Sequence, residues 1–138
     1  MASAAPEKCV FCDIVAGKAP AYKVYEDAST LAFLDLFPFT RGHLLVIPKR
    51  HGARFTDFAP EDLAAVVRTL TTICRRAERL TPDYNVALNA GAKAGQIVFH
   101  LHFHVIPRYG EANPFHPGRR TRITEEEAVG VMADLSVP

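Results

Sequence analysis

The chain has 138 residues, of which 49% are hydrophobic and 22% charged, with a formal net charge of +1. That length supports one core and not two, and so balanced a charge leaves no electrostatic footprint for nucleic acid or an anionic membrane. No stretch approaches the ~20 apolar residues that cross a bilayer, and Met1 to Lys8 lacks the apolar run of a secretion signal, so a cytoplasmic protein is expected.

Cys9 to Gly17 reads as a short helix ended by Gly17, with Pro20 beyond it. Tyr22 to Glu26 and Leu31 to Leu34 read as strands joined by a hairpin turn at Asp27-Ala28-Ser29. Pro38 interrupts the pattern, Arg41-Gly42 turns the chain, and His43 to Ile47 forms a third strand closed by Pro48. From Pro60, residues Leu63, Val66, Val67, Leu70, Ile73, Ala77 and Leu80 recur at helical spacing, with Glu61 and Asp62 at the positive end of the dipole. Thr81-Pro82 stops this long helix. Tyr84 to Leu88 is a fourth strand, and Asn89 to Gln96 is a loop with two glycines. Thr124 and Glu127 have the spacing of a capping box for a last short helix, whose apolar residues Ala128, Val131, Met132 and Leu135 predict docking. The pattern predicts an α+β domain: a five-stranded antiparallel sheet with one long helix and short terminal helices. One domain spans 1–138, with a core at about 9–108 and an extension at 109–138.

Two places carry chemistry. Cys9, Cys12 and Cys74 are an odd number and no disulfide framework; the Cys9-Val10-Phe11-Cys12 spacing suits a metal, while Cys74 falls on an apolar helical face. The second is His100-Leu101-His102-Phe103-His104-Val105-Ile106. On a strand the three imidazoles share one face, roughly 6 to 7 Å apart, and Leu101, Phe103 and Val105 take the other. Three readings fit: satisfied polar residues of a half-buried strand, a transition-metal site, or phosphoryl chemistry with an imidazole nucleophile. Just upstream, Gly91 and Gly95 allow a turn that brings N–H groups to an anion, with Gln96 as a further side-chain donor.

The run from His100 to Ile106 resembles the His-φ-His-φ-His-φ-φ signature of the histidine triad (HIT) family of nucleotide hydrolases and transferases, φ being apolar. Leu31 to Asp35, Gly42 to Lys49, and Asn89 to Gln96 agree in order and spacing. The resemblance implies a nucleotide-binding hydrolase that cleaves at the α-phosphate of a purine nucleotide conjugate, such as an adenosine phosphoramidate, and releases AMP through a nucleotidyl-histidine. It implies His102 as nucleophile, His104 beside the phosphate oxygens, and His100 and His43 in the polar layer behind. Asp35 then accepts from ribose hydroxyls, Asn89, Gly95 and Gln96 lie near the phosphate, and Phe11, Ile14, Phe33 and Leu36 wall the base pocket. The alternatives are a dinucleoside polyphosphate hydrolase and a nucleotide-sensing or partner-binding module with weak catalysis; the Val105-Ile106-Pro107-Arg108 ending does not choose. One residue departs from the family pattern: Ile97 stands where a Ser or Thr is usual. Some HIT branches, and the related galactose-1-phosphate uridylyltransferases, bind structural zinc with residues matching Cys9, Cys12, His51 and His100. No organic cofactor is implied, and the family pairs as homodimers through the long helix and a sheet edge. His116, Arg119, Arg120 and Arg122 are candidate contacts for an entering polyphosphate.

Overall fold

The computed structural model describes residues 8–111, 122 and 124–135. Five strands, β1 (Lys23–Glu26), β2 (Thr30–Leu34), β3 (Leu44–Pro48), β4 (Tyr84–Leu88) and β5 (Phe103–Pro107), form one antiparallel sheet in the order β1-β2-β3-β5-β4. Three helices accompany it: α1 (Val10–Val15), α2 (Pro60–Ala77) and α3 (Glu125–Leu135). The expected hairpin between β1 and β2 is held by Asp27, whose Oδ1 accepts from the Ser29 and Thr30 backbone N–H groups at 2.8 Å each.

Successive side chains on a strand alternate in direction, so each central strand feeds two cores. Ala32, Leu44, Val46 and Val105 pack with Val66, Ile73 and Ala77 of α2. Leu31, Phe33, Leu45 and Ile47 point the other way, onto Phe11 and Ile14 of α1. His104 lies opposite Leu45 in the β3–β5 register, which puts it on the α1 face.

Four details differ from the pattern read off the sequence. The histidine run enters the sheet only at Phe103; before that, Leu101 donates its N–H to the Gly52 carbonyl at 2.7 Å. On α2 the buried stripe is Val66, Thr69, Ile73 and Ala77, while Val67 is 55% and Leu80 41% exposed. A threonine is tolerated in that stripe because its hydroxyl shares a 2.6 Å hydrogen bond with that of Thr30. The strand expected at His43 to Ile47 runs one residue later, from Leu44 to Pro48. The capping box at Thr124 and Glu127 forms, yet Met132, on the apolar side of α3 expected to dock, is exposed. His116, Arg119 and Arg120 lie outside the described residues.

Ile73 is fully buried between α2 and the sheet. Ile73→Ala is expected to cost about 2–5 kcal/mol in urea denaturation, and a loss below about 1 kcal/mol contradicts this packing.

Candidate functional site

A cavity of about 400 Å³ opens on the α1 face of the sheet. Phe11 and Ile14 of α1, Phe33 of β2 and Leu45 of β3 supply apolar wall; Leu36, Phe37 and Phe39 come from the β2–β3 connection. A small polar set, Asp35, Asn89, His102 and His104, lines it with Gly95, Ile97 and Val98. Every expected base-pocket residue, Phe11, Ile14, Phe33 and Leu36, is therefore at this one cavity, together with Asp35, Asn89, Gly95, His102 and His104. His43 and His100 are buried behind it. Phe37 and Phe39 were not singled out by sequence; their signal was two aromatic residues either side of a proline in a loop too polar at its ends to be a strand.

The expected loop between Asn89 and Gln96 is present, but its polar groups are used differently. Gly91 and Gly95 adopt positive φ, 92° and 97°, which side-chain-bearing residues rarely adopt. Gln96 Oε1 accepts from the Gly91 N–H at 2.8 Å, and Nε2 donates to the Ala53 and Val98 carbonyls at 2.9 and 3.1 Å. The backbone N–H groups of Ala94, Gly95 and Gln96 also bond within the loop. A buried amide must satisfy both ends, so the Gln96 side chain braces the loop and is not the ligand donor that was expected. Gln96 does not line the cavity.

The histidines form two hydrogen-bonded sets whose proton positions follow from their partners. A backbone carbonyl only accepts, so His102 Nδ1, 2.7 Å from the His100 carbonyl, carries the proton and leaves the lone pair on Nε2. His43 Nδ1 accepts from the Phe39 N–H at 3.1 Å, so its proton is on Nε2. That nitrogen donates to His104 Nδ1 at 2.9 Å, which leaves His104 with its proton on Nε2. Asp35 Oδ2 lies 3.5 Å from His43 Nε2, and its Oδ1 accepts from the Phe37 N–H at 2.8 Å. Burial keeps these rings neutral: it lowers His102 and His43 below 6.5 and, with repulsion from His102 and His43, lowers His104 to about 4.

Behind His102, the His100 Nε2–H donates to the Pro48 carbonyl at 2.8 Å, so its Nδ1 lone pair faces Cys9 Sγ at 3.5 Å and Cys12 Sγ at 3.6 Å. His51 Nδ1 is 3.3 Å from Cys12 Sγ. All four ligand atoms lie within 4.8 Å of one another. A tetrahedral zinc with Zn–N near 2.0 Å and Zn–S near 2.3 Å places its ligands roughly 3.3 to 3.8 Å apart. The donor set and its spacing fit a metal ion, and the Pro48 carbonyl is the outer partner that fixes a ligating imidazole. Without a cation, burial and the neighbouring Cys9 push the Cys12 thiol up to about 11. Cys74, as expected, packs against the α2 core.

The HIT domain family model matches residues 16–111. The chain belongs to the HIT family. Among HIT proteins, one of Mycobacterium tuberculosis is 52% identical over 101 residues, covering 72% of this chain and 70% of the relative. An adenosine 5′-monophosphoramidase of Candida albicans is 39% identical over 128 residues, covering 88% and 84%. A HIT protein structure from Bacillus subtilis superposes with TM-score 0.84 at 38% identity, covering 94% of this chain and 96% of that one. A zinc-bound HIT structure from Mycobacterium smegmatis gives TM-score 0.67 at 42% identity, covering 92% and 94%. The fold expected from the resemblance is thereby shown, and with it a family of nucleotide-binding proteins that includes hydrolases.

The neutral rings also set a pH dependence of stability. His104 has a folded value of about 4 against 6.5 unperturbed, so as pH falls below 6.5 the unfolded chain binds a proton that the folded chain refuses. Stability is expected to decline from about pH 6.5 to about 4 and the decline to be shallower in His104→Asn. Melting temperatures across a pH series check this; an unchanged slope in the variant contradicts it.

Proposed function

We propose that this HIT protein hydrolyses purine nucleotide conjugates at the α-phosphate, with His102 as nucleophile, releasing AMP. The observation that carries the reading is the bond from His102 Nδ1 to the His100 carbonyl, because it presents a lone pair on the other ring nitrogen of a cavity-lining residue. The apolar walls take the base, and Asp35 accepts from ribose hydroxyls. Asn89 and the His104 Nε2–H donate to phosphate oxygens, where charge grows in the transition state. Gly95 gives the phosphate close approach to the backbone, and Gln96 holds that loop in shape.

His102 Nε2 forms a bond to phosphorus while the bond from phosphorus to the leaving nitrogen breaks; the amine departs with a proton taken from water at the cavity mouth. The resulting nucleotidyl-imidazolium keeps its Nδ1–H on the His100 carbonyl, which stabilises the positive charge. Water then attacks phosphorus, the phosphorus–Nε2 bond breaks, a proton returns to solvent, and AMP leaves with His102 neutral again. The phosphoramidase relative supports this substrate class.

Cys9, Cys12, His51 and His100 are proposed to hold a zinc ion, which supplies a cross-link between the start of α1 and the approach to β5 and no open coordination position for catalysis. The protein is inferred to work as a cytoplasmic homodimer, paired through α2 and a sheet edge.

His102→Ala is expected to lower turnover of an adenosine phosphoramidate by about 10³-fold or more with AMP affinity within about tenfold, by steady-state assay and calorimetry. Near-normal turnover in that variant removes the assigned nucleophile, as does rapid quenching that yields product but no labelled His102 adduct. Purified protein is expected to carry about one zinc per chain, and Cys9→Ala to lower both metal content and melting temperature. Metal-free protein of undiminished stability removes the zinc assignment.

A further inference from the structure

A second hollow, of about 500 Å³, adjoins the nucleotide cavity, and the two share Val10, Ile97 and Val98 as a common border. Phe99 continues the apolar side of the second hollow, and Lys8 and Asp13 place one charge of each sign on it. On this border Ile97 is 86%, Phe99 49% and Val10 48% exposed. Three large apolar side chains thus stand uncovered in one place, beside a site built to hold a phosphate. Among the described residues, Lys8 is the only Lys or Arg on either hollow.

We propose that this second hollow receives the leaving group, and that the leaving group is an amine with an apolar or aromatic body, bonded through nitrogen to phosphorus, and not a polyphosphate. This inference rests on the nucleotidyl-hydrolase reading above and names the class of conjugate it acts on. A substrate longer than a nucleotide that fills the first cavity reaches the second across Ile97 and Val98. A departing polyphosphate would carry several negative charges along that path, each needing a cation or strong donor; Ile97 offers neither, and Asp13 offsets Lys8. A hydrocarbon or aromatic body instead covers Ile97, Phe99 and Val10 and removes their apolar surface from water. The isoleucine therefore gives up a hydroxyl donor to the phosphate and provides a grip on what is attached to it. The bond changes are those already given: phosphorus–Nε2 forms, phosphorus–amine breaks, and the amine leaves with a proton from solvent.

The test uses the full chain as purified and two adenosine phosphoramidates whose amines have similar basicity, phenethylamine and ethanolamine, with diadenosine tetraphosphate as a third substrate. The expected kcat/KM is about tenfold or more in favour of the phenethylamine conjugate, with the polyphosphate slower than both. Ile97→Ser and Phe99→Ala are each expected to shrink the phenethylamine-to-ethanolamine ratio by about threefold or more. A ratio near one, a ratio that neither substitution moves, or diadenosine tetraphosphate as the best substrate overturns the proposal while leaving the nucleotidyl hydrolase standing. Failure to turn over any of the three overturns both.

Discussion

The hydrogen bond from His102 Nδ1 to the carbonyl of His100 is the constraint on which the site depends. It spans only two residues, and it determines which ring nitrogen is available for chemistry. The Leu101 N–H goes to Gly52, and β5 begins at Phe103. The His100 carbonyl and the Leu101 N–H, both ahead of the ladder, thus each find another partner, as buried backbone groups require. His100 then serves twice: its carbonyl orients the neighbouring imidazole, and its ring, fixed by Pro48, joins Cys9, Cys12 and His51 in a cluster whose spacing fits a metal ion.

A second constraint works through charge. His43, His102 and His104 are crowded and largely removed from water, and their mutual repulsion adds to desolvation in keeping them neutral. Neutrality is what lets one ring hold a lone pair and its neighbour offer an N–H within the same cavity. The order of protons starts at the Phe39 backbone N–H, passes through His43 and ends at His104. Phe39 also stacks on the His43 ring, with centroids 5.5 Å apart, so one loop residue fixes that ring by contact and by hydrogen bond. Asp35, tied to the Phe37 N–H, bears on the same ring from the other side without being needed to set its tautomer.

Much of this was legible in the sequence because much of it is periodic. The helical spacing from Pro60 to Ala77, the paired short strands and the hairpin turn at Asp27-Ala28-Ser29 are local patterns with local causes. What escaped the pattern is long-range or polar. Val67 and Thr69 both fit a helical apolar face loosely, and only the hydroxyl of Thr30, 39 residues away, decides that Thr69 goes inward. The alternation from His100 to Ile106 predicts a face for the imidazoles, and His104 does lie on the α1 side with the cavity. Alternation cannot show that the ladder starts late, because the partner of the His100 carbonyl is a side-chain donor, the His102 Nδ1–H. Gln96 reads as a side-chain donor beside a glycine turn; in the fold its buried amide is committed to the Ala53 and Val98 carbonyls. The cysteine–histidine set joins residues up to 91 apart, so its composition came from resemblance and not from spacing.

The groups that orient the imidazoles and the groups that face a ligand differ in kind, and this bears on how specificity can change. Orientation comes from buried donors and acceptors whose partners are already made within the chain: His100, His43, Pro48 and the Phe39 N–H. Removing the His43 or the His100 ring strands a buried partner, so those two positions resist substitution. The cavity rim is different: Phe37 is 87% and Ile97 86% exposed, and neither side chain satisfies a buried polar group. A change there alters which attached group is held without disturbing a tautomer. Ile97, standing where a Ser or Thr is usual in the family, is a position of this second kind: it lines the cavity without partnering any of the buried histidines.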